Sequence, residues 1–404
     1  MIPVAEARER ILSAFSPLPA EVVGLADGLG RVTAEDIVSR LTQPPAAMSA
    51  MDGYAVRAAD VGTVPATLRR IGEVPAGQSF KGRVGAGETV RIFTGAPLPD
   101  GADAVVIQED TESEGDAVTV LHPVPPDRHV RRAGIDFKAG DVGIPAGRPL
   151  TARDIGLAAA MNWPWLRVRR RPRVAILATG DEIILPGEPL GPDQIVSSNA
   201  FAIAGLVAAC GGVPINLGVA GDTAESLLHF IKGGERADIL VTSGGASAGE
   251  YDLVRDVLGD RGMELDFYKI AMRPGKPLMF GRLGDVPVLG LPGNPVSSQV
   301  CAILFLIPAL RRLMGMAIGS EPRRKALLGR SVKRNDQRED YLRATLSVDA
   351  TGNLIAKPFE SQDSSLLTVL ARADCLVVRP PFAPPAEAGD SVEILPLGGG
   401  VLSF

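Results

Sequence analysis

Four stretches gather nearly all the residues that could do chemistry. They are RVAILATGDEI (173–183), ILVTSGGASAGEYD (239–252), KIAMRPGKPLMFG (269–281) and GLPGNPVSS (290–298). Each joins an apolar run of strand length to polar, glycine-rich residues. A loop containing Ser243, Gly244, Gly245, Ser247 and Gly249 lets backbone approach a ligand closely and aims N–H groups at an anion. The same loop also serves as a tight strand-to-helix turn, and both readings stand. Glu182 could hold a divalent cation or act as a base, although a solvated loop carboxylate is the commoner fate. Asp222 reads most economically as an N-cap, because Glu225 follows at the spacing of a capping box. Asp252 suits the first turn of its helix through the helix dipole. Lys269, Arg273 and Lys276 fall within eight residues around a Pro/Gly turn. Three cations beside carboxylates and a glycine nest suit a phosphate, pyrophosphate or oxyanion, with a bridging metal ion. The GLPGNP corner either shapes a pocket or only terminates its strand.

Stepwise alternation of these runs with helix-length segments predicts the elements that position them. A doubly wound α/β sheet collects its strand ends, and therefore these residues, on one edge. A helix is predicted from about Ser198 to Cys210, closed by Gly211-Gly212, and another from Asp222. The RPGKP segment is predicted to be a hairpin. Upstream, residues 67–120 alternate short β runs with Gly/Pro turns, and QPPAAMSAMDGYAV (43–56) reads as an ordered loop entering a strand. Beyond Glu321 the text changes to alternating short runs, which predicts a C-terminal β barrel or sandwich.

Composition narrows the function classes. At 404 residues the chain exceeds one core and predicts two to four domains. Aromatic residues at 4% argue against a base-stacking platform, and a net charge of −5 gives no general drive toward nucleic acid or anionic membrane. Cys210, Cys301 and Cys375 are too dispersed for a disulfide framework or a CxxC metal site. The apolar run from Pro295 to Leu310 is interrupted by Pro308 and is expected to be a buried helix. The N-terminus, MIPVAEARERIL, carries charges where a signal peptide is apolar. A soluble cytoplasmic protein without nucleic-acid or membrane partners is expected.

TGDEI, SGGASAGEYD, MRPGKP and GLPGNPVSS, with SAMDGYA (49–55) and TGAPLPDGADAVV (94–106), closely resemble the molybdopterin molybdenumtransferases. These are the MoeA-type enzymes, related to the C-terminal domain of gephyrin. The resemblance spans essentially the whole chain. It implies a homodimer of multidomain α/β and β subunits. The implied domains are a discontinuous N-terminal domain (1–40 and 138–172), an inserted β-rich domain (41–137), a molybdopterin-binding α/β domain (173–322) and a C-terminal β-barrel-like domain (323–404). The implied reaction inserts molybdate into adenylylated molybdopterin, releasing AMP, with Mg²⁺ or another divalent cation. Carried over by motif, the catalytic groups are Asp52, Thr94, Asp136, Glu182, Asp222 and Asp252, of which Glu182, Asp222 and Asp252 hold the metal. Substrate is held by the glycine loop, by Lys269, Arg273 and Lys276, by Pro292 and Pro295, and by Ser364. The family's site lies between two subunits, so Asp52 and Asp136 act in trans. A molybdopterin adenylyltransferase and molybdoenzyme chaperones are the implied protein partners.

The sequence also departs from the family's pattern. GID at 134–136 replaces the more usual GED, Arg273 stands where some relatives have Lys, and Asp363 replaces a glycine in SQDSS (361–365). Arg for Lys keeps charge but changes hydrogen-bond geometry. Two rival functions share the fold. A molybdopterin adenylyltransferase is typically the α/β domain alone, and the MDGYA and TGAP modules argue against it. A gephyrin-like scaffold is disfavoured because the acidic residues are present.

Overall fold

In the computed structural model, residues 1–75, 77–244, 253–317, 319 and 323–397 are described. The chain forms two compact units: Asp36–Pro145 with Arg153–Trp165, and Met1–Glu35 with Ala146–Ala152 and Leu166–Phe404.

The larger unit is built on a six-stranded sheet. Its elements in chain order are β1 (Arg173–Thr179), α1 (Asn199–Ala209), β2 (Val213–Ala220), α2 (Ala224–Ile231), β3 (Ile239–Ser243), α3 (Leu253–Asp260), β4 (Met263–Tyr268), β5 (Met279–Leu283) and β6 (Val286–Leu291). The strand order is β2-β1-β3-β6-β5-β4. The pairs β1–β2, β1–β3 and β3–β6 are parallel, while β5 runs antiparallel to both β6 and β4. Four strands therefore end at one edge. Side chains alternate along β1 because successive Cβ atoms point to opposite faces. Val174 and Ile176 meet Ala200, Ile203 and Val207 of α1 on one face. Ala175 and Leu177 meet Leu227 and Ile231 of α2 and Val257 of α3 on the other.

The apolar run after β6 forms one continuous helix, from α4 (Pro295–Cys301) through a π segment (Ala302–Leu306) to α5 (Ile307–Leu313). Pro308 has no N–H for the preceding turn, which accounts for a π segment just before it. The helix has the length and apolarity of a membrane span, but 72% of its apolar window is buried. Its residues join the core that also takes Val4, Ala7 and Ile11 of the N-terminal helix Val4–Ser13.

One local expectation fails. The cap of α2 is Thr223, in extended backbone with its hydroxyl accepting from Ser226 N at 3.2 Å, so Asp222 is no N-cap and the helix starts at Ala224. RPGKP does lie in the connection of a hairpin, between antiparallel β4 and β5, with Lys269 N donating to the Leu278 carbonyl at 3.0 Å. Met272–Arg273 forms a short strand paired in parallel with Glu339–Asp340 of the C-terminal sheet. The hairpin connection is thus also registered with a second sheet, which no local pattern in the sequence announces. The C-terminal sheet itself closes, because Glu339–Val348 pairs with both Leu354–Pro358 and Cys375–Arg379, and those connect through Arg324–Leu328 and Ser391–Pro396.

The smaller unit holds a second six-stranded sheet. Gly53–Val56 lies in it between Ala104–Ile107 and Glu88–Ile92. Gly53 is required there by space, since a Cβ would stand 1.9 Å from the Val106 carbonyl oxygen.

Candidate active site

The parallel strands β1, β2, β3 and β6 bring their polar ends to one edge, as the alternation requires. After β1 and β2, two carboxylates bind each other's backbone. Asp181 Oδ1 accepts from Asp222 N at 2.9 Å, and Asp222 Oδ2 accepts from Asp181 N at 3.3 Å. This reciprocal clamp fixes the two strand-end loops against each other, and it explains why Asp222 is not spent on capping. Asp181 was visible in the sequence only as the neighbour of Glu182. Glu182 is exposed, and its carboxylate lies over Gly180, where a Cβ would come within 2.5 Å of Glu182 Oε2.

After β3 and β6 a neutral network takes over. Asn199, the first residue of α1, donates from Nδ2 to Ser243 Oγ at 2.9 Å and to the Gly293 carbonyl at 2.7 Å. Ser243 Oγ stands 3.4 Å from Ser298 Oγ. Gly244 has φ +100°, and a Cβ there would meet the Thr179 carbonyl oxygen at 2.3 Å, so only glycine lets β3 end this close to β1. Among the described residues, three buried polar atoms in this region lack protein partners: Thr179 Oγ1, Thr242 Oγ1 and Asn199 Oδ1. Folded proteins match such atoms with water or a ligand, and three together mark a site that receives something polar. Asn199 escaped the sequence reading because a first-turn Asn looks like helix-start chemistry. Gly245, Ser247, Gly249 and Asp252 lie outside the described residues.

Asn199→Ala would leave the Ser243 hydroxyl and Gly293 carbonyl without their shared donor. A loss of about 1–3 kcal/mol is expected, read as a lower urea midpoint. An unchanged midpoint would show that both acceptors are satisfied in another way.

The GLPGNP corner is tied to the last module. Pro292 is buried, Pro295 opens α4, Asn294 Nδ2 donates to Ser364 Oγ at 2.9 Å, and Val296 N donates to the Ser364 carbonyl at 3.1 Å. The Asp363 that replaces a glycine accepts from Ser365 N at 2.8 Å and Ser365 Oγ at 2.6 Å, which closes the turn without glycine.

The three cations keep different company. Arg273 donates from Nε to Asp340 Oδ1 at 2.9 Å and from Nη2 to Asp340 Oδ2, with further bonds to Asn335 (3.1 Å) and Asp336 (3.4 Å). Its fork is thus engaged by the barrel. Burial pushes the Asp340 carboxyl up against the opposing pull of Arg273, while Arg338 holds Asp336 down at about 2. Lys269 has φ +74° and sets Nζ 4.8 Å from the Tyr268 ring centroid. Lys276 is half-buried and makes no ion pair among the described residues.

In the smaller unit, Asp52 and Thr94 come together although 42 residues separate them. Asp52 Oδ1 accepts from Thr94 N and Thr94 Oγ1, both at 2.8 Å. The backbone N–H of Thr94, then its hydroxyl, hold the Asp52 carboxyl below the usual range, with Arg91 adding to the effect. Backbone bonds from Ser49 N to the Ala96 carbonyl and from Gly95 N to the Ser49 carbonyl, each 2.9 Å, join the two motifs. Asp136 is exposed, with its N–H donated to the Gln43 carbonyl at 3.1 Å.

Similarity to known proteins follows the same segments. The models for the MoeA N-terminal region (domain I and II), a probable molybdopterin binding domain and the MoeA C-terminal region (domain IV) match residues 2–162, 175–312 and 325–397. A molybdopterin molybdenumtransferase of Nostoc sp. is 38% identical over 386 residues, covering 93% of this chain and 88% of that protein. One of Haemophilus influenzae is 34% identical over 400 residues, with 98% of each chain covered. The crystal structure of a molybdopterin biosynthesis moea protein from Pyrococcus horikosii superposes with TM-score 0.87 at 34% identity, over 99% of this chain and 100% of that one.

Proposed function

This chain belongs to the molybdopterin molybdenumtransferases, enzymes of molybdenum cofactor biosynthesis, and on that premise we propose that it inserts molybdate into adenylylated molybdopterin and releases AMP. The observation that carries this reading is the Asp181–Asp222 clamp, which holds an acidic strand end on the same sheet edge as the partnerless polar atoms around Asn199. An acidic end suits a metal-bridged phosphate, and a neutral, donor-lined end suits a pterin ring and its polar substituents.

Among the described residues, no three His, Cys, Asp or Glu side chains stand close enough to hold a metal ion. The donors that are present nevertheless fit Mg²⁺. Asp222 and Glu182 offer hard carboxylate oxygens, and this cation ordinarily completes its shell with water and substrate phosphates. Asp222 and Glu182 are the described residues that would hold it, with Asp252 carried over by motif. Bound there, Mg²⁺ would neutralise charge on the adenylate phosphates. Lys269 and Lys276 stabilise negative charge as a water oxygen bonds to phosphorus, the phosphoanhydride P–O bond breaks, and AMP departs with the pterin keeping its phosphate monoester. Gly244 lets backbone approach the ligand, and Ser364 is held at the Pro292–Pro295 corner by Asn294. Arg273 contributes by fixing its loop to Asp340, which leaves the lysines as the direct anion contacts.

We place the protein in the cytoplasm as a homodimer, in which Asp52, Thr94 and Asp136 of one subunit serve the strand-end site of its partner. The test is single-turnover conversion of purified adenylylated molybdopterin with molybdate and Mg²⁺, reading AMP and cofactor together. Wild type is expected to release AMP only when molybdate is present. Glu182→Gln and Asp52→Asn should each be inactive alone, and a mixed dimer of the two should regain part of the activity. AMP release that ignores molybdate would sink the reaction, and a dead mixed dimer would sink the shared site.

A further inference from the structure

The smaller unit carries a cation that the proposed reaction leaves unused. Arg91 stands on the strand Glu88–Ile92, paired with Tyr54 of the middle strand Gly53–Val56. Its guanidinium lies over two rings, 4.9 Å from the Tyr54 centroid and 5.3 Å from that of Phe93. From there Nη2 donates to Gln108 Oε1 at 2.5 Å. Gln108 directly follows Ala104–Ile107, the strand on the far side of Gly53–Val56. One side chain therefore straps the two outer strands together across the middle one. Its anchor is a neutral amide, so the bond to Gln108 does not neutralise the positive charge.

The strap crosses where Asp52 enters the middle strand. Gly53 pairs antiparallel with Ile92 on one side and with Ile107 on the other. Asp52, Thr94 and Gln108 therefore meet at one edge of this sheet. Gln108 N donates to the Asp52 carbonyl at 3.2 Å, while Thr94 N and Thr94 Oγ1 both donate to Asp52 Oδ1. The Asp52 main chain is thus held from the Gln108 side and its carboxylate from the Thr94 side. Arg91 joins the two sides. We propose that Arg91 is a positioning residue for Asp52, fixing through Gln108 the strand end that presents this carboxylate. The inference rests on the role proposed above for Asp52. Charge acts in the same direction as geometry, because a nearby cation favours the ionised carboxylate. Arg91 adds to the pull of Thr94 on the Asp52 carboxyl. On the turn after Ala104–Ile107, Glu109 and Asp110 follow Gln108, and Glu109 Oε1 accepts from Gln108 Nε2 at 3.4 Å.

The experiment is a double-mutant cycle on the full chain: Arg91→Met, Gln108→Leu and the two combined. Single-turnover AMP release is followed against adenylylated molybdopterin concentration, and urea titration checks that each variant is folded. Each single variant is expected to lower the maximal rate about tenfold or more, the cost of a misplaced group. The half-saturating pterin concentration should stay as in wild type. The double variant should be no slower than the slower single one, since both changes remove one strap. Independently of turnover, ¹³C NMR follows the Asp52 carboxyl through a pH titration of the ligand-free protein, with Asp52→Asn giving the assignment. A carboxyl held low by a cation titrates at higher pH once that cation is gone. Arg91→Met should therefore move the midpoint upward, and Arg91→Lys, which keeps the charge, should restore it. The proposal is overturned by a wild-type rate in either single variant, whatever its urea midpoint. It is equally overturned if the two rate losses multiply in the double variant, or if the Asp52 titration is unmoved in Arg91→Met. AMP release by wild type that ignores molybdate would sink the reaction instead, and the titration would still decide the place of Arg91.

Discussion

Gly244→Ala should cost this protein about 2–5 kcal/mol of stability and most of its affinity for a pterin substrate. Two physical terms add. A side chain at φ +100° adopts a conformation that costs about 1–2 kcal/mol for an L-residue. The new methyl would also sit 2.3 Å from the Thr179 carbonyl oxygen and 3.0 Å from Thr179 Oγ1, and overpacking of that kind costs about 1–3 kcal/mol. Thr179 ends a buried central strand and cannot yield without moving β1. The ends of β1 and β3 must therefore separate, which displaces the region where Thr179, Thr242 and Asn199 hold their unmatched polar atoms. Gly187→Ala is the control, because Gly187 has φ +94° but nothing within 4 Å of its Cβ position. It carries the backbone term alone and should shift the urea midpoint by the smaller amount while leaving molybdopterin binding intact. Equal effects for the two alanines would remove close approach as the reason for Gly244.

At Asp222 the expected result separates charge from architecture. An asparagine keeps a carbonyl oxygen able to accept from Asp181 N, so Asp222→Asn should preserve the clamp and fold with a stability change within about 0.5 kcal/mol, as for exposed substitutions generally. It nevertheless loses the carboxylate proposed to hold Mg²⁺ against the phosphates. Loss of one such electrostatic group typically costs about 10²–10³ in rate, and kcat should fall by that amount. Asp222→Ala removes the acceptor as well and should lower stability by a further ~0.5–1.5 kcal/mol, the net worth of a hydrogen bond. Single-turnover AMP release and urea titration on the same preparations read both quantities. Full activity in the asparagine variant would confine Asp222 to an architectural role.

Much of this was legible in the residues. The unbroken apolar run in RVAILAT and the similar runs after it dictate a buried parallel strand flanked by helices, because only a strand hidden on both faces needs apolar residues at every position. The Gly211-Gly212 helix end follows from local chemistry, with Gly211 at φ +83° and its N–H bonded to the Ala208 carbonyl. Spaced motifs carried the family. In each case the deciding interactions lie within a few residues, or within one repeating pattern, so the sequence contains them.

Other assignments required partners distant in the chain. Asp222 has the local spacing of a cap, yet its carboxylate is bonded to a backbone 41 residues away while its neighbour Thr223 caps the helix. Arg273 reads as one of three equivalent cations, but Asp340, 67 residues on, takes its guanidinium. Asn199 carries no motif at all. Its significance lies in an amide oxygen left buried without a partner among the described residues, a property that exists only once the strands have closed around it. The sequence by itself determined which residue types stand at the strand ends. Tertiary structure alone decided which of their hydrogen-bonding groups are already spent and which remain to meet a ligand, because that depends on what folding brings within about 3 Å.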